Sequence, residues 1–333
     1  MSDTNKNIFV LFSIDLYDDM SYIKNSIVYL VEEELFFNRK SSHLGNMKFN
    51  ILKPIYHRAT MKSYYDKLVD KKINCKYIDL SNDWVDVITS MMKKNKYSLT
   101  FFDPVDKYLE KKIAKHFSSY GYDIIDTPRF ILATDDMETY DGALRQTSFY
   151  SWMRNTKNIL MDDIGRPIGG KLTFDNENRK SPYDGIENDF PKEETFEKNK
   201  YVASAIKYVI DNIDTNDLSI WNNCNNDVNA NTLIIKLKFP IDTKGAKIRL
   251  KKFIKHKLDM FGDYQDVFLK KNVNVGDDDS LLFHSGLSPM INIGLLTPYD
   301  VIDEILHHYN SLNANQKKSI LNNVEGFIRQ IIG

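Results

Sequence analysis

The chain has 333 residues, 42% of them hydrophobic and 27% charged, an ordinary balance with room for two sizeable cores. Its net charge of −1 excludes a global positive field toward nucleic acid, so any such binding must come from a local patch. Its two cysteines, Cys75 and Cys224, form no Cys-x-x-Cys pair, which excludes a zinc ribbon or a self-contained iron–sulfur site and suits two reduced thiols. The first apolar run, in MSDTNKNIFVLF, is too short for a signal peptide or membrane span. The chain is expected to be soluble and intracellular, with no membrane partner and no metal site.

The first third alternates short apolar runs with helical patterns. Ile8 to Phe12, Ile27 to Val31, Lys76 to Leu80, Leu99 to Phe102 and Tyr122 to Ile125 suit strands, the first two being continuous enough for burial on both faces. Between them, residues 59–69, 84–92 and 105–117 place apolar side chains at helical spacing, as with Trp84, Val87, Ile88 and Met91. This alternation predicts βαβ units and a parallel sheet, with ligands beyond the carboxyl ends of the strands. The first strand runs into Ser13-Ile14-Asp15-Leu16. A dinucleotide fold needs a glycine fingerprint there, so NAD binding is excluded.

From Thr127 the pattern changes. Residues 143–160 read as a helix carrying Leu144, Phe149, Trp152 and Met153, followed by the polar loop GRPIGGKLTFDNENRKSPYDG, a crossing between domains. Its GRPIGGKL imitates a nucleotide-triphosphate loop but has Leu172 where Ser or Thr must hold magnesium, and Pro167 lacks an N–H. Beyond Pro191 helical periodicity dominates, with Thr232 to Lys238 the one possible strand and the Asn-rich stretch 221–231 a polar loop. Residues 244–258 predict a basic amphipathic helix. Leu250, Ile254 and Leu258 form its apolar stripe, while Lys247, Lys251 and Lys255 occupy another face. That face is either solvated or a contact for DNA phosphates. In FHSGLSP, residues 283–289, Ser285 and Ser288 bracket Gly286 before an apolar run; Ser285 is either an ordinary helix cap or part of a phosphate site. His307 and His308 close a helix, where they suit its dipole.

Two long stretches carry a family resemblance. One comprises Pro167, Gly169, Gly170, Phe174, Asp175, Glu177, Asn178 and Arg179. The other runs from MFGDYQDVF through LLFHSGLSPMINIGLLTP to LNNVEGFIRQIIG. Together they resemble the deoxyribodipyrimidine-photolyase-related proteins, the iron–sulfur branch of the photolyase/cryptochrome superfamily that includes prokaryotic (6-4) photolyases. A weaker resemblance covers Val31, Glu32, Leu35 to Phe37 and the segment His57 to Met61.

The resemblance implies an α/β N-terminal domain with a Rossmann-like parallel sheet, residues 1–130. A connector, 131–190, and an all-α, incomplete photolyase-type FAD-binding domain, 191–333, would follow. It also implies light-driven, FAD-dependent repair of pyrimidine photoproducts, a carbon–carbon lyase reaction on damaged DNA. Tyr264, His284, Ser285, Gly286, Leu287, Ser288 and Asn292 would hold the flavin, and Lys247, Lys251, Lys255 and Arg179 would contact DNA. Glu32 is the candidate contact to the lumazine antenna of some members, or else an exposed carboxylate after a strand. The Pro167–Arg179 signature is expected to be a rigid turn that braces the two domains, or else to contact DNA or flavin directly. The family continues beyond the segment ending at Gly333, through its cluster cysteines. The resemblance therefore implies the N-terminal part of a split or truncated photolyase, inactive alone and completed by a second polypeptide. The alternatives are a non-catalytic remnant and a standalone flavin-, antenna- or DNA-binding protein. A chain cut there is expected to bare the apolar faces of Val324, Phe327, Ile328 and Ile331.

Overall fold

The computed structural model describes residues 7–38, 47–94, 96–143, 145–191, 199–215, 239–268 and 281–333. The expected strand at 232–238, the Asn-rich loop, Leu144 and Cys224 lie outside them. The chain forms two compact units. The first comprises Met1–Thr127, Thr195–Thr243 and Asn292–Leu295; the second comprises Pro128–Glu194, Lys244–Ile291 and Leu296–Gly333.

The first unit is built on five parallel strands, β1 (Asn7–Leu11), β2 (Ser26–Val31), β3 (Cys75–Ile78), β4 (Ser98–Phe102) and β5 (Asp123–Ile125), in the order β3-β2-β1-β4-β5. The strand order reverses between β1 and β4, which makes their carboxyl ends the topological switch point. All of β2 is buried, as is β1 from Ile8 onward, because a parallel sheet covered on both faces leaves no face for polar residues. Helices α1 (Glu34–Phe37), α2 (Leu52–Asp70), α3 (Trp84–Lys94) and α4 (Lys107–Phe117) connect the strands. Trp84 of α3 and Phe117 of α4 stack at 5.8 Å, and both meet Phe101 of β4. In α2 the predicted 59–69 pattern extends a full two turns earlier, because Ile55, Tyr56 and His57 are buried as well. The later helix α7 (Lys200–Asn212) also belongs to this unit, packing on α2 with the Arg58 guanidinium 3.3 Å from the Tyr208 ring.

The second unit is helical. In chain order it holds α5 (Thr134–Glu138), α6 (Gln146–Thr156), α8 (Thr243–His256), α9 (Leu258–Tyr264), the start of α10 (Ser288–Asn292), α11 (Pro298–Ser311) and α12 (Ala314–Ile332). Reciprocal side-chain caps start α11 at Thr297/Asp300 and α12 at Asn313/Gln316. Helix α12 crosses α9 closely because both present glycine at the contact. A Cβ on Gly326 would stand 3.4 Å from the Gly262 Cα and 2.8 Å from the Asn178 amide nitrogen. Phe327 then meets Phe253 at 4.5 Å and Phe261 at 4.9 Å.

This packing corrects one expectation. Val324, Phe327 and Ile328 are buried on a helix that packs against α9 of its own unit, and of the four only Ile331 is half-exposed.

The glycine-rich signature is a turn, with Gly169 and Gly170 both at positive φ, conformations that cost L side chains energy. No phosphate-loop helix follows; a short 3-10 turn, Asp175–Glu177, does. The partners named here lie within the second unit. Asp175 pairs with Arg329 at 2.8 Å, Phe174 donates its N–H to Glu325 at 3.0 Å, and Asn178 bonds Asn322 at 3.1 Å.

Candidate functional site

The loop between residue 281 and α10 forms one wall of a cavity of about 490 Å³ in the second unit. His284, Ser285, Gly286, Leu287 and Ser288 all line it, facing Phe327, Gln330 and Ile331 of α12. Five of the seven residues expected to hold a flavin by resemblance are thus brought together. The Ser285 hydroxyl oxygen accepts the Leu287 N–H at 3.4 Å, which leaves its own proton free to donate. Gly286 sits at φ 59°, and a Cβ there would lie 2.6 Å from Leu281 and 2.7 Å from the Arg249 guanidinium. Glycine is therefore required both by conformation and by space.

One expectation changes here. Helix α10 starts at Ser288 and has only five residues, so Ser285 is a loop residue rather than its cap. A helix this short has little dipole to offer a phosphate. The loop's own hydroxyl and amide groups make the donor set.

Burial lowers the His284 imidazole below the ordinary histidine value, and nearby Lys257 adds to this, while a hydrogen bond to the Val267 carbonyl opposes it. The imidazole is thus biased toward its neutral form. At the rim, Arg179 is fixed between two carboxylates, Asp175 at 2.8 Å and Asp266 at 2.7 Å. Asp175 in turn holds Arg329, which reaches the fully buried Glu325 at 3.4 Å.

The remaining predicted residues stand apart from this wall. Tyr264 is buried in an apolar cluster with Phe190, Val267 and Phe283, so it supports the loop from behind. Asn292, exposed at the end of α10, falls in the first unit. Glu32, also in the first unit, is buried rather than exposed. Both its oxygens accept from the Arg58 guanidinium, one also takes the Tyr77 hydroxyl, and the other takes the Leu80 N–H at 2.9 Å. Burial raises its carboxyl and Arg58 lowers it. A ligand would meet Glu32 only by displacing one of these donors. Lys247, Lys251 and Lys255 are exposed along α8, and Lys251 pairs loosely with Glu304 at 3.6 Å.

The sequence reading missed Arg249 and Lys257. Both are buried, and both donate to loop carbonyls: Arg249 Nε to Ser285 at 3.4 Å, and Lys257 Nζ to His284 at 3.3 Å. The available signal was positional, since each lies four residues from the buried Phe253 and hence on the inward face. Among the described residues no cluster of His, Cys, Asp and Glu is arranged to hold a metal ion, and no helix is long and apolar enough to cross a membrane.

A parallel α/β unit and a helical unit with a loop-walled cavity define a photolyase-type fold. The structure is similar to that of a bacterial class III photolyase from Agrobacterium tumefaciens, with a TM-score of 0.51 at 13% identity, over 98% of this chain and 57% of that one. Residues 14–216, more than half of the chain, match the family "Deoxyribodipyrimidine photo-lyase-related protein", and the chain belongs to that family. An uncharacterized protein, R852, of Acanthamoeba polyphaga mimivirus is 39% identical over 191 residues, covering 53% of this chain and 95% of that protein. A (6-4) photolyase of Agrobacterium fabrum is 31% identical over 214 residues, 63% of this chain and 36% of that protein. The chain therefore corresponds to part of the length of the two photolyases. The cavity loop lies outside the family match, so its assignment rests on the motif and the geometry.

Proposed function

We propose that the cavity walled by residues 284–288 takes the phosphate-bearing part of FAD and that the chain serves light-driven repair of pyrimidine photoproducts in DNA. The observation that carries this reading is the placement of the FHSGLSP loop, with two hydroxyls and the Gly286 turn, on a cavity of about 490 Å³ in a member of this family. The donors fit a phosphate. The Ser285 and Ser288 hydroxyls can each give a proton, and neither Gly286 nor Ser288 has a backbone N–H partner among the described residues. Such donors hold a diphosphate by charge-assisted hydrogen bonds. A bound flavin supplies the electron chemistry, while the residues here bind and orient it. In this reading the exposed lysines 247, 251 and 255, with Arg179 at the rim, meet DNA phosphates in a sequence-independent way. The reaction also calls on the part of a photolyase that these matches do not span, carried in the same or a second polypeptide.

The test is binding of FAD and ADP to the purified chain by calorimetry. Ser285→Ala with Ser288→Ala is expected to weaken both ligands, each lost bond to a charged group costing about 1.5–3 kcal/mol. Unchanged affinity in the double variant removes the assignment. Changing Lys247, Lys251 and Lys255 to Glu is expected to abolish salt-sensitive DNA binding, and retained binding would place the DNA elsewhere.

A further inference from the structure

We infer that Arg249 and Lys257 act together as positioning residues. They form a two-cation clamp behind the cavity that sets the peptide orientations of the loop and thereby its affinity for a phosphate-bearing ligand. The ligand class rests on the function proposed above; the clamp itself rests on the geometry alone.

Both side chains come from one stretch, α8 and the residue that follows it. Arg249 is 6% exposed and Lys257 7%. Cations are seldom buried this far, because leaving water is costly unless strong acceptors replace it. Here the acceptors include two consecutive carbonyls, His284 for Lys257 and Ser285 for Arg249. A trans peptide holds its C=O and the next N–H on opposite sides of one plane. Drawing the carbonyls of 284 and 285 toward the cations turns the amides of Ser285 and Gly286 the opposite way. Those two residues line the cavity. Successive amides held in a turn make a concavity for anions, and a carbonyl bonded to a cation polarises its own peptide, so the N–H donates more strongly.

Gly286 completes the device. The nearest guanidinium nitrogen lies 2.7 Å from where its Cβ would stand, at a φ of 59°. Any side chain at this position would push the arginine off the loop. The glycine of FHSGLSP is therefore explained by a residue 37 positions earlier in the chain, at Arg249.

The experiment compares wild type, Arg249→Ala, Arg249→Lys and Lys257→Met. Two quantities are measured: hydrogen exchange of the 284–288 amides without ligand, and affinity for ADP and for riboflavin, which has no phosphate. In Arg249→Ala the loop amides are expected to exchange faster, and ADP to bind about tenfold or more weakly, with riboflavin little changed. Guanidinium ion added at millimolar levels is expected to restore part of the ADP affinity in Arg249→Ala and to leave Lys257→Met unaffected. Rescue of this kind separates a positioning role from a general loss of folding. Arg249→Lys keeps the charge and loses the planar reach, so it is expected to fall between wild type and Ala. Loop exchange and ADP affinity equal to wild type in Arg249→Ala would overturn the clamp. If that variant does not fold, the same equality in Arg249→Lys overturns it. If wild type binds neither ADP nor FAD, the ligand assignment fails and loop exchange alone decides the clamp.

Discussion

The carboxylate of Glu325 is the point at which the glycine-rich signature is tied to α12, and removing it tests whether that signature works within its own unit. Glu325 is fully buried. It accepts the Tyr150 hydroxyl at 2.7 Å and the Phe174 N–H at 3.0 Å, and the Arg329 guanidinium lies 3.4 Å away as an ion-pair partner. Glu325→Ala leaves two donors without an acceptor and a cation with one partner fewer. Breaking a buried pair from one side costs about 3–5 kcal/mol. Arg329 keeps Asp175 at 2.8 Å, which argues for the lower end of that range. Glu325→Gln keeps one acceptor oxygen and loses the charge, so about 1.5–3 kcal/mol is expected, the worth of a bond to a charged group. A chain of two units need not unfold in one step, so the readout is hydrogen exchange along residues 314–332 and 167–179, with thermal unfolding alongside. For a unit of this size, a loss of about 3 kcal/mol corresponds to a fall of roughly 6–12 °C in its transition. Exposed Lys318→Ala on the same helix is the control. If Glu325→Ala loosens α12 no more than Lys318→Ala does, the inward anchoring described here is wrong.

The His284 imidazole binds its proton less readily in the folded chain than the ordinary value of 6.5 implies, chiefly through burial. Its contribution is present above that value and is lost as pH falls through the lower folded value, because the unfolded chain then takes up a proton that the folded chain resists. Stability of the loop should therefore drop below about pH 6.5, and His284→Gln should flatten that part of the profile; an identical profile in the variant would exclude His284 as its source. Burial pushes the Cys75 thiol up to about 12, so site-resolved alkylation near pH 8 should leave Cys75 unmodified in the native chain and label it after unfolding. Rapid native labelling would contradict the burial.

The parallel sheet was legible in the sequence because a strand covered on both faces must be continuously apolar, as Ile8 to Phe12 and Ile27 to Val31 are. Periodicity likewise marked α3, α4 and α8 to within a few residues, since one face of each is buried. The FHSGLSP motif marked in advance the loop that forms one wall of the cavity, because a hydroxyl, a glycine turn and a second hydroxyl lie within a few residues of one another in the sequence. Tertiary structure alone decided the rest. Spacing could not show that Tyr264 supports the loop from behind, that Asn292 stands outside the cavity, or that Glu32 is enclosed by Arg58 and Tyr77. Nor could it show that Gly262 and Gly326 meet, or that Arg249 turns inward from a helix whose other cations face water. Each of these depends on which distant segment packs opposite. A one-dimensional pattern reports a residue's preference for burial, but it does not report the partner that makes burial of a charge or a glycine worthwhile.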